Sequence, residues 1–206
     1  QRCNAGEAVF CSQLDFAGPN GGLSQIRTFP RNLASQKVSG LDFQIDHQLP
    51  IGGGTLSSRA LANYMLSQSQ VALGVRTNYD GAIGGDSPVQ GVPKLRITAS
   101  ETYSQGPFSG TVQGRFIGAA KLVDAWGPKD VDDNTVPARF YVDMRASYQL
   151  TEEAQIFGAV DNLLNRNPPN VAVSNANAAS IFSTPIRGDI YDQLGRAYRL
   201  GVRFNF

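Results

Sequence analysis

The sequence lacks any apolar run long enough for a membrane-spanning helix. No stretch of the 206 residues approaches the 18 or so consecutive apolar residues that such a helix requires. Strong helix signals are absent as well, and we interpret "SSRALANYML" as a strand because strand patterns surround it. These absences do not exclude a transmembrane β-barrel, since its strands need only alternate apolar and polar residues.

Histidine and cysteine are scarce, with one and two residues. A single histidine cannot build a two-histidine metal site. We expect no barrel hydrolase or other enzyme, and no catalytic residue, metal or cofactor. His47 is in register with the apolar face of its strand, which favours packing at a membrane interface. Cys3 and Cys11 would close a short loop, and in an oxidising compartment a disulfide is favoured over two free thiols.

The chain also lacks an excess of charge of either sign. The chain has 18 basic and 17 acidic residues, so we expect no nucleic-acid partner. No basic segment followed by an apolar segment opens the chain, so no signal peptide is visible. We therefore expect a mature chain or a fragment.

Strict alternation is what the sequence does have, most clearly in its last residues. In "RAYRLGVRFNF", large apolar residues from Tyr198 to Phe206 alternate with Arg199, Gly201, Arg203 and Asn205. Eleven residues at about 3.3 Å each, tilted by about 45°, rise about 25 Å, the height of an outer-membrane apolar band. A midplane arginine facing lipid costs about 2–4 kcal/mol, so both arginines must face away from lipid.

The same pattern predicts seven strands. They span residues 37–49, 55–66, 94–103, 108–118, 138–150, 155–164 and 196–206. Short connections (50–54, 104–107, 151–154) alternate with long ones (67–93, 119–137, 165–195). This indicates an all-β fold, an antiparallel up-and-down transmembrane barrel segment with short periplasmic turns and long extracellular loops. Residues 1–36 predict an extracellular hairpin around "GPNGG".

Polar residues of these strands are expected to line the lumen in rows of mixed charge with cross-strand ion pairs. They are Asp42, Asp46, Arg96, Arg115, Asp143, Arg145, Arg199 and Arg203. The long loop at 119–137 contains "DAWGPKDVDDN", with Trp126, Asp130, Asp132 and Asp133. A solvated loop is the favoured interpretation. Capture of a ligand by Trp126 and these carboxylates, or calcium binding without the glycine and glutamate of an EF-hand, are alternatives.

Three stretches resemble TonB-dependent outer-membrane receptors. "YDQLGRAYRLGVRFNF" (191–206) resembles the family's C-terminal signature, and "YVDMRASYQLTEEAQIFGAVDNLLNRNPP" (141–169) resembles its penultimate hairpin. "SGLDFQIDHQLP" (39–50) resembles one of its descending strands. The resemblance covers about residues 25–206.

The resemblance implies a 22-stranded barrel filled by a plug domain, of which residues 1–206 would form the C-terminal part without the plug or TonB box. Seven is also an odd count, and single-chain bacterial barrels have even counts. Expected partners are outer-membrane lipid, the plug of the same receptor, the TonB–ExbB–ExbD complex through the missing N-terminal part, and the barrel assembly machinery, which would recognise Tyr198, Phe204 and Phe206. The location is the Gram-negative outer membrane.

The implied function is active uptake of a scarce small-molecule nutrient such as siderophore-bound iron, cobalamin or a glycan. The sequence does not name the ligand. One alternative is a small self-contained barrel with an adhesin or structural role, to which residues 1–36 would add an eighth strand. Another is a soluble antiparallel sandwich with lectin-like binding.

Overall fold

A computed structural model describes residues 11–17, 21–27, 34–72, 74–84, 91–171 and 187–205. The chain divides into two compact units, residues 1–35 and 36–206. The described elements are all strands. In the described part, no helix is both long enough and apolar enough to cross a membrane.

The first unit contains the predicted hairpin. β1 (Leu14–Ala17) pairs antiparallel with β2 (Gly22–Ile26). Arg27 bridges back to Asp15 at 2.6 Å; because both side chains are partly exposed, this pair contributes about 0–1 kcal/mol. No described cysteine is free, but Cys3 lies outside the described residues, so the Cys3–Cys11 disulfide stays a prediction.

The second unit is an antiparallel meander, and all seven predicted strands are confirmed. Its strands are β3 (Ala34–Ile51), β4 (Gly54–Ala72), β5 (Val75–Asn78), β6 (Leu95–Gln105), β7 (Phe108–Ile117), β10 (Arg139–Gln149), β11 (Ala154–Asp161) and β12 (Ala197–Phe204). The short β8 (Ala120–Lys121) and β9 (Thr135–Val136) pair with each other. The large sheet has the order β12-β11-β10-β7-β6-β4-β3, with β5 beside β4.

The predicted boundaries differ from the observed ones by up to three residues, except at the end of β4. β4 continues six residues beyond the expected end at residue 66, and its last part pairs with β5. The extension "SQSQVA" carries few apolar side chains, so alternation in the sequence did not reveal it. Gly74, with φ of 77°, lies between the two strands and adopts the left-handed conformation that glycine tolerates best.

The short turns match their sequences. Gly52 and Gly53 have φ of 59° and 78°, the pattern of a two-residue type I′ hairpin turn. Gly106, with φ of 53°, is followed by Pro107, which suits a type II′ turn between β6 and β7. Two-residue turns fix the register of the flanking strands, so they also fix which side chains share a face.

The large sheet has two unlike faces. One face, here called the apolar face, exposes large hydrophobic side chains: on β10, Phe140 (47% exposed) and Met144 (41%), and on β12, Leu200 (90%). The other, here called the polar face, carries charged residues together with Tyr141, which is fully buried. A soluble sheet would bury its apolar face, whereas a lipid-facing sheet leaves it bare in the isolated chain.

The buried core lies in the connections at the long-loop end of the sheet. Its cluster, here called the loop core, consists of Ile83, Ile117, Ala120, Leu122, Val136, Tyr141, Val171 and Tyr191. Backbone hydrogen bonds tie the connections together; Ile83 donates to the Lys121 carbonyl at 2.9 Å and Leu122 to the Asn134 carbonyl at 3.0 Å. The long loops therefore form one packed structure with the ends of β7 and β10.

A glycine–aromatic pair joins the last two strands on the polar face. Gly201 of β12 stands directly opposite Phe157 of β11, and a Cβ at position 201 would lie 2.4 Å from the Phe157 ring. The ring therefore occupies the space that the absent side chain leaves. The sequence did not show which side chains of β11 belong to which face. The pairing with β12 assigns Phe157 to the polar face.

Gly201→Val should destabilise the folded sheet by about 1–3 kcal/mol, because the new side chain overlaps the Phe157 ring. The free energy of unfolding in urea, measured with the full-length protein in lipid vesicles, tests this. Gly158→Val is the matched control, since its nearest atoms lie 3.8 Å from the added Cβ. Combining Gly201→Val with Phe157→Ala should recover part of the loss; an equal effect of both valines would contradict the steric account.

Candidate functional site

Arg115 of β7 is the centre of a charged cluster on the polar face, near the long-loop end. Its Nε donates to Asp143 of β10 at 2.9 Å. Its two terminal nitrogens donate to both carboxylate oxygens of Asp192, at 3.1 and 2.6 Å. Asp192 belongs to the loop before β12, so one guanidinium joins two strands of the wall to a loop. Bidentate pairs of this kind are among the strongest charge-assisted contacts.

Asp143 is buried and forms a hydrogen bond with a second residue. Its Oδ1 accepts a hydrogen bond from the backbone N–H of Asn162 at 2.8 Å. Asn162 is 1% exposed and is the first residue after β11. Arg115, Asp143, Asp192 and Asn162 are here called the arginine cluster. Its members come from β7, β10, the end of β11 and the last long loop, four segments far apart in sequence.

Asn162 also shapes the chain as it leaves the sheet. It has φ of 51°, a left-handed conformation that asparagine tolerates better than most residues. Its side-chain amide donates to the Arg166 carbonyl and accepts from the Arg166 N–H, both at 2.9 Å. This reciprocal pair closes a tight turn, and it explains why an asparagine directly follows β11.

Two tyrosines pack beside the cluster. The Tyr141 ring lies 5.2 Å from the guanidinium carbon of Arg115, a cation–π distance. Tyr191 is 2% exposed, and its hydroxyl has no hydrogen-bond partner among the described residues. Desolvation by burial, with the neighbouring Tyr141, raises the pKa of Tyr191 to about 12. The phenol therefore stays neutral and keeps an unused donor.

A pocket of about 490 Å³ opens beside the arginine cluster. Its lining combines both charges with amides and a phenol: Gln113, Arg115, Asp143, Arg145, Asp161, Asn162, Tyr191, Asp192 and Gln193. A second pocket, of about 590 Å³, lies between Arg139 and Asn167. Its lining does not include the carboxylates of the arginine cluster. The first pocket could hold a polar small molecule through hydrogen bonds; it contains no nucleophile paired with a base.

The loop that carries Asp192 is fixed at a second point. Arg187 donates to the Ile83 carbonyl in the loop core and pairs with Asp189 at 2.6 Å. The hydrogen bond from Arg187 lowers the pKa of Asp189. The loop is thus attached to another long loop by Arg187 and to the wall by Asp192, and it covers the pocket between these attachments.

Comparison with protein families matches residues 11–163 to the "TonB dependent receptor-like, beta-barrel" family. The match spans most of the chain and includes β1 to β11. The chain belongs to this family. Comparisons with curated proteins and with solved structures give no match. Membership confirms the expected family and all-β barrel fold, and the family is one of outer-membrane receptors and transporters.

The predicted ion pairs of the receptor wall are present in part. Asp46 pairs with Arg59 at 3.5 Å, and Arg199 pairs with Asp161 at 2.6 Å. Asp42 accepts a hydrogen bond from Asn63 at 2.6 Å. Within the described residues, three of the predicted wall arginines have no ion pair or hydrogen bond from the side chain: Arg96, Arg145 and Arg203. That the polar face lines a lumen stays a prediction.

Aspartates of the aspartate-rich loop accept hydrogen bonds from backbone groups of the same loop. Asp130 accepts from the Gly127 N–H at 2.8 Å, and Asp133 accepts from the Thr135 N–H at 2.7 Å. Trp126 packs against the loop core. In the part of the chain that the structure describes, no group of three possible metal ligands is assembled. Contact between a ligand and Trp126, Asp130, Asp132 or Asp133 stays a prediction.

The C-terminal aromatics are only partly described. Tyr198 is 70% exposed and Phe204 is 60% exposed, both on the apolar face, whereas Phe206 lies outside the described residues. Their role as an assembly signal stays a prediction.

Sequence reasoning named Arg115 and Asp143 but missed the other residues around them, Asp192, Asn162 and Tyr191. Asp192 and Tyr191 lie in "YDQLG", and Asn162 lies in "DNLL"; both stretches were recognised only as parts of a family signature. A signal was available, since a half-buried arginine on a wall favours carboxylate partners. The sequence does not say which of the loop carboxylates folds back to it.

Asp192→Asn should release the last long loop, because Arg115 then loses its charged bidentate partner. We expect amide hydrogen exchange in residues 187–196 to accelerate about tenfold, the equivalent of about 1.4 kcal/mol. Asp189→Asn is the matched control on the same loop: its carboxylate is largely exposed, so exchange should change by less than about threefold. Equal acceleration in both variants would contradict the attachment by Asp192.

Proposed function

We propose that this chain forms wall and extracellular loops of an outer-membrane receptor that actively takes up a scarce nutrient. The observation that carries the proposal is the two-faced wall of a receptor-family barrel, with its loops folded over a charged pocket on the polar face. Lipid contacts the apolar face, and the polar face lines the lumen. The chain is a binding and transport element without bond chemistry.

The connections set the orientation of the wall. Short turns lie on the periplasmic side and the three long loops lie outside, as in outer-membrane barrels generally. The packed loop core supports this assignment, because loops that receive a ligand must hold a defined shape in water. The aspartate-rich loop, with Trp126, contributes to ligand capture on this outer surface.

The receptor is longer than this chain. β3 and β12 stand at opposite ends of the sheet order, and no pairing between them occurs among the described strands. In the proposed receptor, further strands join these two edges and a plug domain fills the lumen. The unpaired guanidiniums of Arg96, Arg145 and Arg203 suit contacts with that plug. The TonB–ExbB–ExbD complex pulls the plug, and the assembly machinery inserts the barrel through its C-terminal aromatics.

The arginine cluster gives the loops a way to respond to a ligand. A ligand in the pocket meets Arg115 and Arg145, so its acidic or hydroxyl groups compete with Asp192 for Arg115. Loss of the Arg115–Asp192 pair would loosen the loop over the pocket. Siderophore-bound iron, cobalamin and glycans all carry suitable polar groups, and the substrate is one of these classes.

Energised uptake tests the proposal. Cells that express the full-length protein receive radiolabelled siderophore-iron, cobalamin or oligosaccharide, with and without a working TonB. We expect one ligand to bind the cell surface in both strains but to accumulate inside only when TonB works. Accumulation that persists without TonB and without a proton gradient would instead indicate a passive pore. Binding of none of the three classes would refute the assigned substrate range.

A further inference from the structure

A carboxylate stands on the apolar face of the wall, where lipid is expected. Glu101 of β6 is exposed, and its neighbours on the same face and strand are Ala99 and Tyr103. Ser58 of β4 lies directly opposite and donates to Oε2 at 2.5 Å. One serine leaves most of the acceptor capacity of a carboxylate unused.

His47 of β3 extends this polar spot. The turn at Gly52–Gly53 aligns β3 with β4, and counting back from it places His47 opposite Ser58. Two contacts on the polar face support this register, Asp46 with Arg59 at 3.5 Å and Asn63 with Asp42 at 2.6 Å. His47, Ser58 and Glu101 therefore form one row across three neighbouring strands, here called the polar row.

The polar row is short and bounded by apolar side chains. Beyond Glu101 the same row continues through Val112, Met144, Val160 and Tyr198. The next row toward the sheet centre contains Ala60 and Ala99, and the next row toward the short turns contains Leu56 and Tyr103. Apart from the hydroxyls of Tyr103 and Tyr198, the polar groups in these rows thus belong to His47, Ser58 and Glu101.

The depth of the row matches a lipid headgroup boundary. Glu101 lies two residues from Tyr103, about 6.6 Å along the strand and about 5 Å in height at a tilt of about 45°. Tyr103 is an aromatic residue near the short-turn end, where interfacial aromatics are expected, and its hydroxyl donates to Gln105 at 3.1 Å. The proposed function places this end at the periplasmic leaflet, and the inference depends on that orientation.

We propose that the polar row binds the headgroup of an ethanolamine phospholipid. The Glu101 carboxylate accepts hydrogen bonds from the ammonium group, and the His47 imidazole donates to the phosphate. The two residues are two strands apart, about 10 Å at the backbone, and both side chains can reach inward over Ser58. The acyl chains then lie along the apolar rows toward the sheet centre.

The charge pattern favours this headgroup over the alternatives. A glycerol headgroup has no ammonium group for Glu101, and a choline headgroup has a cation without N–H donors. A second copy of the wall would bring identical carboxylates or apolar side chains against the row. An ammonium beside a phosphate is therefore the chemistry that complements a carboxylate beside an imidazole.

Native mass spectrometry of the full-length protein, purified in detergent and stripped of lipid, tests this with ethanolamine, choline and glycerol phospholipids of equal chain length. We expect the ethanolamine lipid to bind about tenfold more tightly than the other two, the size of one charge-assisted hydrogen bond. Equal binding of the ethanolamine and choline lipids would overturn the proposal without any variant.

Glu101→Gln should abolish the ethanolamine preference, whereas Asp46→Asn should retain it. Asp46 is the matched control, because it is a carboxylate one residue from His47 on the polar face. His47→Leu should weaken all phosphate-containing lipids alike. Retained preference in Glu101→Gln, or a Glu101→Gln effect on dimerisation in place of lipid binding, would contradict the proposal.

Heat-modifiable migration in gels, measured first, reports whether each variant is a folded barrel. The lipid measurement requires no transport, so the uptake experiment can fail while the lipid preference stands, and the reverse.

Discussion

Backbone hydrogen bonding between neighbouring antiparallel strands is the constraint on which the rest of this structure depends. In lipid, every buried N–H and C=O group must find a partner within the protein, which only a continuous ladder provides for a sheet. The ladder in turn makes successive side chains alternate between two environments. The 47% exposure of Phe140 and the complete burial of Tyr141, its neighbour in sequence, are direct consequences of this alternation.

The same ladder positions the arginine cluster. Direct pairing of Arg115 with Tyr141 and of Gln113 with Asp143 brings the guanidinium beside the Asp143 carboxylate, and the loop supplies Asp192. Burying such charges is favourable only when their hydrogen bonds are nearly all satisfied. The cluster meets this condition, because Asp143 also accepts from Asn162. One bidentate pair thus attaches the loop to the wall, while Arg187 attaches it to the neighbouring long loop.

The strands could be predicted from the sequence, whereas the site could not. Alternation has a fixed period, so residues such as Leu200 and Arg199 show their faces without further information. The end of β4 was not predicted, because the extension that pairs with β5 contains few apolar residues. The loop core and the Arg115–Asp192 pair join segments far apart in the chain, and such contacts depend on three-dimensional proximity that no local pattern contains.

The central claim is that lipid covers one face of this wall. The most direct measurement is electron paramagnetic resonance of a spin label at position 200 or 203 of the full-length protein in lipid vesicles. The account predicts that a label at Leu200 collides mainly with oxygen dissolved in lipid, and that a label at Arg203 is shielded from it. Frequent collision of the Leu200 label with a water-soluble nickel chelate would contradict the account.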